Sequence, residues 1–333
     1  MQGALPYLMR RLLWLPVILF AVTAITFTMA RLGPGDPISI LQGQFRDPEV
    51  RERIRKERGL DDPIWEQYYI YMKGVLTGLE FGESYRFRGI DVEEIMFPAI
   101  WRSMQYNAVA LTITMGIGIP VGVFAARRQG TWVDPASIST FLLFQSIPSL
   151  ISVPFLLLFF PLKLGVLDAR GWPQDCPVYL DVLPSGYECI GVLSEQAVIP
   201  ILALSVPGIA VWARYTRAFT LDVLAADYVR TARMKGISEP VVMARHVMRN
   251  AMLPLSTIII FSLVGLLEGS FFVETLTGIP GFGRLAFESI GGRDYDMIMA
   301  ITIVGSTAFV LASIAVDIVY TLIDPRIRYG SRG

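Results

Sequence analysis

Six apolar stretches, each about twenty residues long, constrain the fold of this chain more than any other feature. A helix rises about 1.5 Å per residue, so roughly 20 apolar residues cross the hydrocarbon layer of a membrane, which is about 30 Å thick. The stretches are 12–29, 106–126, 137–160, 197–213, 253–273 and 297–322, and Pro148, Pro154, Pro200 and Pro207 lie in the third and fourth. We predict an all-α integral membrane protein with six transmembrane helices.

The composition agrees with this prediction, because 53% of the residues are hydrophobic and only 17% are charged. The first apolar stretch continues from residue 12 to residue 29 without a small-residue cleavage site after a short apolar core. We therefore expect it to be a retained span and not a secretory signal peptide.

Charge in the short loops predicts the orientation, since Lys and Arg are retained on the cytoplasmic side. Basic residues precede the first stretch, follow the second and fourth, and close the chain, whereas the intervening loops are mainly acidic. Both termini are thus predicted to be cytoplasmic. We divide the chain into the first span (1–30), an external cap (31–105) and a core (106–333), which contains an external loop (163–196) and a cytoplasmic connection (219–252).

The predicted external cap has charged residues alternating with Val50, Ile54 and Leu60 at near-helical spacing. Aromatic residues such as Trp65 and Tyr68 can form a small hydrophobic core in this segment, so we favour a small helical cap over a disordered charged loop. In the other external loop, Cys176 and Cys189 are compatible with a disulfide, the alternative being two free thiols.

The residues needed for chemistry are scarce. The sequence has no G-x-x-x-x-G-K-[ST] phosphate loop, and its single histidine, His246, excludes a two-histidine metal site. We predict no catalytic residues, no metal site and no cofactor in this chain. Acidic and basic residues balance at 29 each, so the net charge gives no indication of a nucleic-acid partner, and we expect none.

One acidic residue in a span is a candidate for the translocation path. Glu268 lies in the fifth apolar stretch, where a charged side chain costs free energy unless it pairs with another polar group or faces a water-filled path. It lies within Gly265-Leu266-Leu267-Glu268-Gly269, a G-x-x-x-G spacing that permits close helix packing. We predict Glu268, Gly265 and Gly269 on the path, with burial of Glu268 against a neighbouring polar group as the alternative. Gly118 and Gly122 have the same spacing.

The basic segment 227–250 interrupts two apolar stretches, and its local pattern predicts helix, glycine, helix. Residues 221–235 favour a helix, Gly236 is a natural left-handed stop, and Ser238 can cap a second helix that begins with Glu239 and Pro240. The physical pattern alone permits two partners for this segment: a soluble protein or anionic lipid headgroups.

Several motifs resemble one family. "YVRTARMKG" followed by "RHVMRNAMLP" is similar to the cytoplasmic signature loop of ABC importer permeases of the dipeptide, oligopeptide and nickel family, with Arg230 where the general signature has glutamate. "RLGPGDP", "GLDDPIWEQY", "GLEFGES", "VETLTGIPGFGRL" and "DPRIR" agree along nearly the full length.

The resemblance implies half of a translocation pathway, completed by a homologous second permease, two ATPases that bind ATP and Mg, and an external substrate-binding protein. It implies that the ATPase-coupling residues are Arg230, Ala232, Arg233, Gly236, Ser238 and Glu239. It also implies a prokaryotic plasma (inner) membrane protein, with membrane lipid around the spans. The alternatives are a secondary transporter that works alone and a membrane scaffold without transport.

Overall fold

The structure is a computed structural model that describes residues 4–32, 48–167, 171–173, 177–178, 184 and 187–323. Within these ranges the chain is helical and contains no strand, only an isolated bridge between Glu83 and Asp91. Helices of the first part are α1 (Ala4–Leu32), α2 (Pro48–Glu57), α3 (Ile64–Gly78), α4 (Val92–Arg127), α5 (Val133–Gln145) and α6 (Ser149–Leu157). Those of the second part are α7 (Val198–Leu224), α8 (Asp227–Met234), α9 (Glu239–Val241), α10 (Arg249–Glu268), α11 (Phe271–Thr277), α12 (Phe282–Gly291) and α13 (Tyr295–Ile323).

Five helical segments of the described chain are long and apolar enough to cross a membrane. A sixth crossing requires α5 and the helix that begins with α6 to form one span together, although they are bent by 81°. The chain is therefore a multi-pass helical protein with five or six spans, as the apolar stretches predict.

The predicted third span, 137–160, is not one straight helix. Helix α5 ends at Gln145, Pro148 precedes α6 in an extended conformation, and a π-helical segment, Leu158–Leu164, follows α6. Proline lacks an N–H and disfavours helical geometry at the residue before it, which explains the break.

The predicted fifth span, 253–273, is also interrupted. Helix α10 ends at Glu268, Gly269 has a φ of 67°, and α11 begins at Phe271. A left-handed glycine is a common way to end a helix, because no Cβ opposes that conformation. Gly265 and Gly269 therefore do not form one continuous packing face, and this part of the sequence prediction was wrong.

The structure divides into two compact units. The first comprises Met1–Ser103, Leu267–Phe271 and Pro280–Ile314, and the second comprises Met104–Leu266, Phe272–Ile279 and Ala315–Gly333.

In the first unit, Asp294 joins the segment after α3 to the start of α13. Its carboxylate accepts hydrogen bonds from Ser84 Oγ at 2.5 Å, from the backbone N–H of Tyr85 at 3.1 Å and from that of Arg86 at 3.3 Å. Because Asp294 is buried, these bonds satisfy a charge that would otherwise be costly to desolvate. Burial and the neighbouring charge of Asp296 raise the pKa of the Tyr85 hydroxyl.

In the second unit, two glycines of α4 allow close contact with α7. A Cβ added to Gly118 would lie 2.7 Å from Trp212 Cβ, and one added to Gly122 would lie 2.4 Å from the carbonyl oxygen of Ala213. These separations are shorter than real Cβ contacts, so only glycine fits at either position. The spacing of Gly118 and Gly122 thus does what the sequence motif predicts.

Candidate functional site

The segment 227–250 is a packed structure with its own small core, which we call the connector. Val229, Ala232, Val242, Met243 and Val247 are all buried and form one cluster. Partly buried side chains pack around this cluster: Val123, Val223, Leu224 and Ile237. The connector is therefore held against the ends of α4 and α7 by apolar contacts, which restrict its motion relative to them.

Gly236 turns the chain between α8 and α9 in the left-handed conformation, with a φ of 76°, as predicted. The N–H of Gly236 donates to the carbonyl of Arg233 at 3.0 Å, and the N–H of Ile237 donates to that of Ala232 at 3.4 Å. These bonds satisfy carbonyls at the end of α8. Space around Gly236 is open, so backbone conformation and not crowding requires glycine.

The predicted helix over 221–235 is divided in the structure. Helix α7 ends at Leu224, and Ala226 is extended before α8 begins at Asp227. The break turns Val229 and Ala232 into the cluster, and Asp227 places a carboxylate in the first turn of α8, where the helix dipole favours it. Tertiary packing thus overrides the high helix propensity of Ala225 and Ala226.

Arg233 and Glu239 form a two-pronged pair across the Gly236 turn. Arg233 Nε donates to Glu239 Oε2 at 3.1 Å, and Arg233 Nη2 donates to Oε1 at 2.8 Å. The hydrogen bonds to Glu239 raise the pKa of Arg233. Two of the predicted coupling residues therefore fix the angle between α8 and the helical segment that begins with α9.

Ser238 occupies the predicted position before α9, but its side chain makes no capping hydrogen bond. Its backbone carbonyl instead accepts from the N–H groups of Val241 and Val242, each at 3.0 Å. The prediction of a side-chain cap was wrong. Proline has no N–H, so Pro240 in the first turn of α9 needs no hydrogen-bond acceptor. Without a side-chain cap, α9 therefore has one unsatisfied N–H group fewer than most helices would have.

The outer surface of the connector combines positive charge with apolar side chains. Arg230 is 69% exposed, and its contact with Asp227 is a loose one of 3.8 Å. Tyr228, Met234 and Val241 are exposed as well, and Met234 is 80% exposed. The sequence prediction selected Arg230 but missed these three residues, since an apolar residue on a short helix is normally expected in the core.

Beside the connector lies a cleft of about 540 Å³. It is lined by Ala126, Arg127, Gln129, Leu221, Asp222, Leu224, Ala225, Arg233 and Glu239. Arg127 and Asp222 were not predicted as site residues, because neither belongs to the motif residues of segment 227–250.

The structure gives no common site for the predicted path residues. Glu268 is exposed and makes no ion pair within the described part of the chain, and a Cβ added to Gly265 would meet nothing. Glu274, by contrast, is fully buried and accepts a very short hydrogen bond from the hydroxyl of Tyr106. The role of Glu268, Gly265 and Gly269 in a path stays a prediction.

Cys176 lies outside the described residues, so the disulfide with Cys189 also stays a prediction. The carbonyl of Cys189 accepts a hydrogen bond of 2.9 Å from the Gln105 side chain, which in turn accepts from the N–H of Val192 at 3.3 Å. These bonds attach the end of the 163–196 loop to α4.

The fold and the connector together define a multi-pass helical membrane protein that presents a rigid, basic connector between two apolar helices. Residues 118–329 match the model of the family described as "Binding-protein-dependent transport system inner membrane component", and residues 4–88 match the model of its N-terminal region. The chain belongs to this family and is a permease subunit of an ABC importer of the peptide group.

Similar proteins cover almost the whole chain. The dipeptide transport system permease protein DppB of Alkalihalophilus pseudofirmus is 34% identical, over 98% of this chain and 100% of its own length. The oligopeptide permease OppB of Haemophilus influenzae is 30% identical, over 98% of this chain and 100% of its own length. The glutathione permease GsiC of Escherichia coli K12 is 34% identical, over 98% of this chain and 99% of its own length. These matches confirm the resemblance drawn from the motifs.

Among solved structures, the chain is similar to one of the MetNI methionine ABC transporter in inward-facing conformations. The identity is 16% and the TM-score 0.49, over 69% of this chain and 97% of the matched chain.

Proposed function

We propose that this chain is half of the translocation pathway of an ATP-driven importer for dipeptides, oligopeptides or a similar small solute. The names of its relatives support this substrate class: dipeptide, oligopeptide and glutathione permeases. A homologous second permease completes the pathway, and an external binding protein delivers the solute. Both termini and the connector lie on the cytoplasmic side of a prokaryotic inner membrane.

The connector is the docking site of the cytoplasmic ATPases in this proposal. Its buried cluster makes it stiff, and its outer surface offers Arg230 together with exposed apolar side chains such as Met234. A protein surface recognises that combination, since apolar groups are covered in the contact while arginine provides directional hydrogen bonds. The same combination is the single observation that carries the proposal.

In this proposal, the stiffness of the connector converts movement of the ATPases into movement of the spans. ATP and Mg are bound by the ATPases, this chain itself being non-catalytic, and closure of the ATPases displaces the connector. Because Val229 and Val247 belong to one packed cluster with Val223 and Val123, displacement of the connector is transmitted to α7 and α4. A flexible loop would absorb the same movement without tilting the spans.

A cross-linking experiment in the assembled transporter tests the docking site. A photoreactive amino acid replaces Arg230 in one variant and Trp132 in the other; Trp132 is 80% exposed and lies just before α5, so it is the matched control. We expect a cross-link to an ATPase from position 230 and none from position 132. An assembled, transporting complex without a cross-link at 230 would refute the docking site.

Reconstitution tests the importer itself and separates it from a secondary transporter. Vesicles receive this chain with or without the second permease, the ATPases and the binding protein, and uptake of labelled dipeptide is measured. We expect ATP-dependent uptake only with all components. Uptake driven by an ion gradient in vesicles that contain this chain alone would overturn the proposal, and normal uptake by Glu268→Gln would remove Glu268 from the path.

A further inference from the structure

Helix α3, the second helix of the predicted cap, has an apolar stripe that no described residue covers. Trp65, Tyr69, Leu76 and Leu79, which follows the helix, are each between 63% and 78% exposed. Their spacing of four, seven and three residues places them along one side of a helix. Contiguous exposed apolar side chains of this size normally mark a contact with another molecule or with a membrane.

The adjacent side of α3 packs on α1. The Tyr68 hydroxyl lies 2.7 Å from Thr23 Oγ1, and the Tyr68 ring contacts the rings of Phe20 and Phe27 edge-on, at centroid distances of 5.8 and 5.4 Å. These residues lie in Arg11–Leu32, a segment of α1 that is long and apolar enough to span a membrane. The contact with α1 therefore determines the level of α3 relative to the membrane.

That level is inside the apolar part of α1. Thr23 precedes Arg31, the charged residue at the end of α1, by eight residues, which corresponds to about 12 Å of helix. Half of the hydrocarbon layer measures about 15 Å. Tyr68 thus reaches well below the charged end of α1, and the stripe runs along the neighbouring side of the same helix.

The opposite side of α3 faces charged groups. Gln67 and Gly74 line a cleft of about 340 Å³ together with Arg31, Arg58 and Asp296. Arg58 donates to Glu83 at 2.8 Å and stacks on the ring of Tyr85 at 4.5 Å, so charged groups line this side. Helix α3 consequently separates an apolar side from a charged one, as helices in a membrane interface do.

We propose that α3 is an interfacial helix embedded in the bilayer, with its stripe in contact with lipid acyl chains. The stripe continues the exposed apolar surface of α1, where Phe20 and Met29 also face outward. Trp65 and Tyr69 are of the residue types that concentrate at membrane interfaces. The embedding rests on the α1 contact alone; assignment to the outer leaflet rests on the orientation in the proposed function.

Spin labels on the assembled transporter in lipid nanodiscs test the embedding. One nitroxide replaces Leu76 through Leu76→Cys, and the control replaces its exposed neighbour through Thr77→Cys, about 100° around the helix. Collision with oxygen, which concentrates in lipid, is compared with collision with a water-soluble nickel chelate. We expect the label at 76 to favour oxygen and the label at 77 to favour nickel. The unsubstituted transporter treated with the same reagent measures background labelling.

Two results overturn the embedding. If nickel reaches both labels, the stripe faces water; if neither reagent reaches the label at 76, a protein subunit covers the stripe. Leu76 and Thr77 are both exposed, so neither substitution removes a core contact. Failure of dipeptide uptake in reconstituted vesicles would count against the proposed function and leave the spin-label contrast intact. Loss of that contrast with uptake unchanged would count against the embedding alone.

Discussion

Arg233 and Glu239 are joined by two hydrogen bonds, of 3.1 and 2.8 Å, that bridge the turn at Gly236. The pair connects the end of α8 to the start of α9, on opposite sides of the only residue of the turn that requires a left-handed backbone within the described connector. The pair therefore fixes the angle between α8 and the helical segment that begins with α9, since the buried cluster already holds both segments against the rest of the unit.

Removal of one partner should weaken ATPase docking without affecting membrane insertion. Both side chains are 42% exposed, so solvent screens the pair and its contribution is about 1 kcal/mol or less. We expect Glu239→Gln to reduce the affinity for the ATPases by about fivefold at most. Titration of purified ATPase onto the permease in nanodiscs measures this affinity.

The exchanged pair, Arg233→Glu with Glu239→Arg, is the control for a geometric role. It restores the bridge with the charges reversed and should recover most of the affinity. If the exchanged pair binds as weakly as Glu239→Gln, the two charges act on the ATPase directly and not through the turn.

Gly236→Val should reduce uptake through backbone strain. A β-branched residue in the left-handed region costs roughly 1–2 kcal/mol, and no neighbouring atom contributes a clash at this position. Uptake of labelled dipeptide by vesicles containing the full transporter measures the effect. Gly236→Asn should retain more activity, because asparagine tolerates the left-handed conformation.

Gly130 offers a matched control for Gly236→Val. It has a φ of 80°, also has open space around it, and lies in the turn between α4 and α5, outside residues 227–250. We expect Gly130→Val to suffer similar strain yet to transport. Equal loss of uptake in the two variants would show that strain reduces folding and would speak against a coupling role of Gly236.

Local features of this molecule were predictable from the sequence. The apolar stretches give the spans, because about twenty apolar residues leave a helix few other environments. Gly236 is predictable as a left-handed turn, since basic helical residues precede it and Ser238-Glu239-Pro240 follows as a start signal. Both predictions depend only on residues close together in the chain.

Features that depend on partners distant in sequence were not predictable. The hydrogen bond from Tyr106 to Glu274 and those from Ser84 and Tyr85 to Asp294 each join residues more than 160 positions apart. No periodicity connects such residues. For the same reason G-x-x-x-G could not distinguish Gly122, which packs on α7, from Gly265, whose surroundings are open.

Gly122→Ala should destabilise the second unit. The new Cβ would lie 2.4 Å from the Ala213 carbonyl oxygen, and the backbone of α7 has no side-chain freedom with which to move away. Overpacking of this kind costs roughly 1–3 kcal/mol. The purified protein is heated to a series of temperatures and then analysed by size-exclusion chromatography in detergent. The monodisperse peak should disappear at a lower temperature for Gly122→Ala than for the unsubstituted protein.

Gly116→Ala is the internal comparison on the same helix. A Cβ at Gly116 meets nothing, and alanine favours a helix over glycine by roughly 1 kcal/mol. Its transition should be unchanged or higher. If Gly122→Ala is as stable as Gly116→Ala, α4 and α7 are further apart than the structure places them.

Glu288 should make the first unit sensitive to acid. Its carboxylate accepts hydrogen bonds from Arg86 Nη1 at 2.6 Å and from Arg284 Nε at 2.7 Å. Burial would raise the pKa of Glu288, but the two arginines outweigh it and hold the pKa below its ordinary value of 4.5. A lowered pKa contributes stability above that ordinary value, and the contribution disappears as the pH falls through the lowered pKa.

Glu288→Gln should therefore be less stable than the unsubstituted protein at pH 7, and the difference should vanish in acid below the lowered pKa. Thermal transitions of the purified chain at a series of pH values from 7 to about 3 measure this difference, expected to be about 1 kcal/mol or less for a partly exposed network. Glu80→Gln is the control, since Glu80 makes no ion pair within the described residues and its substitution should shift no transition. A difference for Glu288→Gln that stays constant into acid would mean that the charge of Glu288 does not hold Arg86 in place, because a protonated carboxyl would then serve as well.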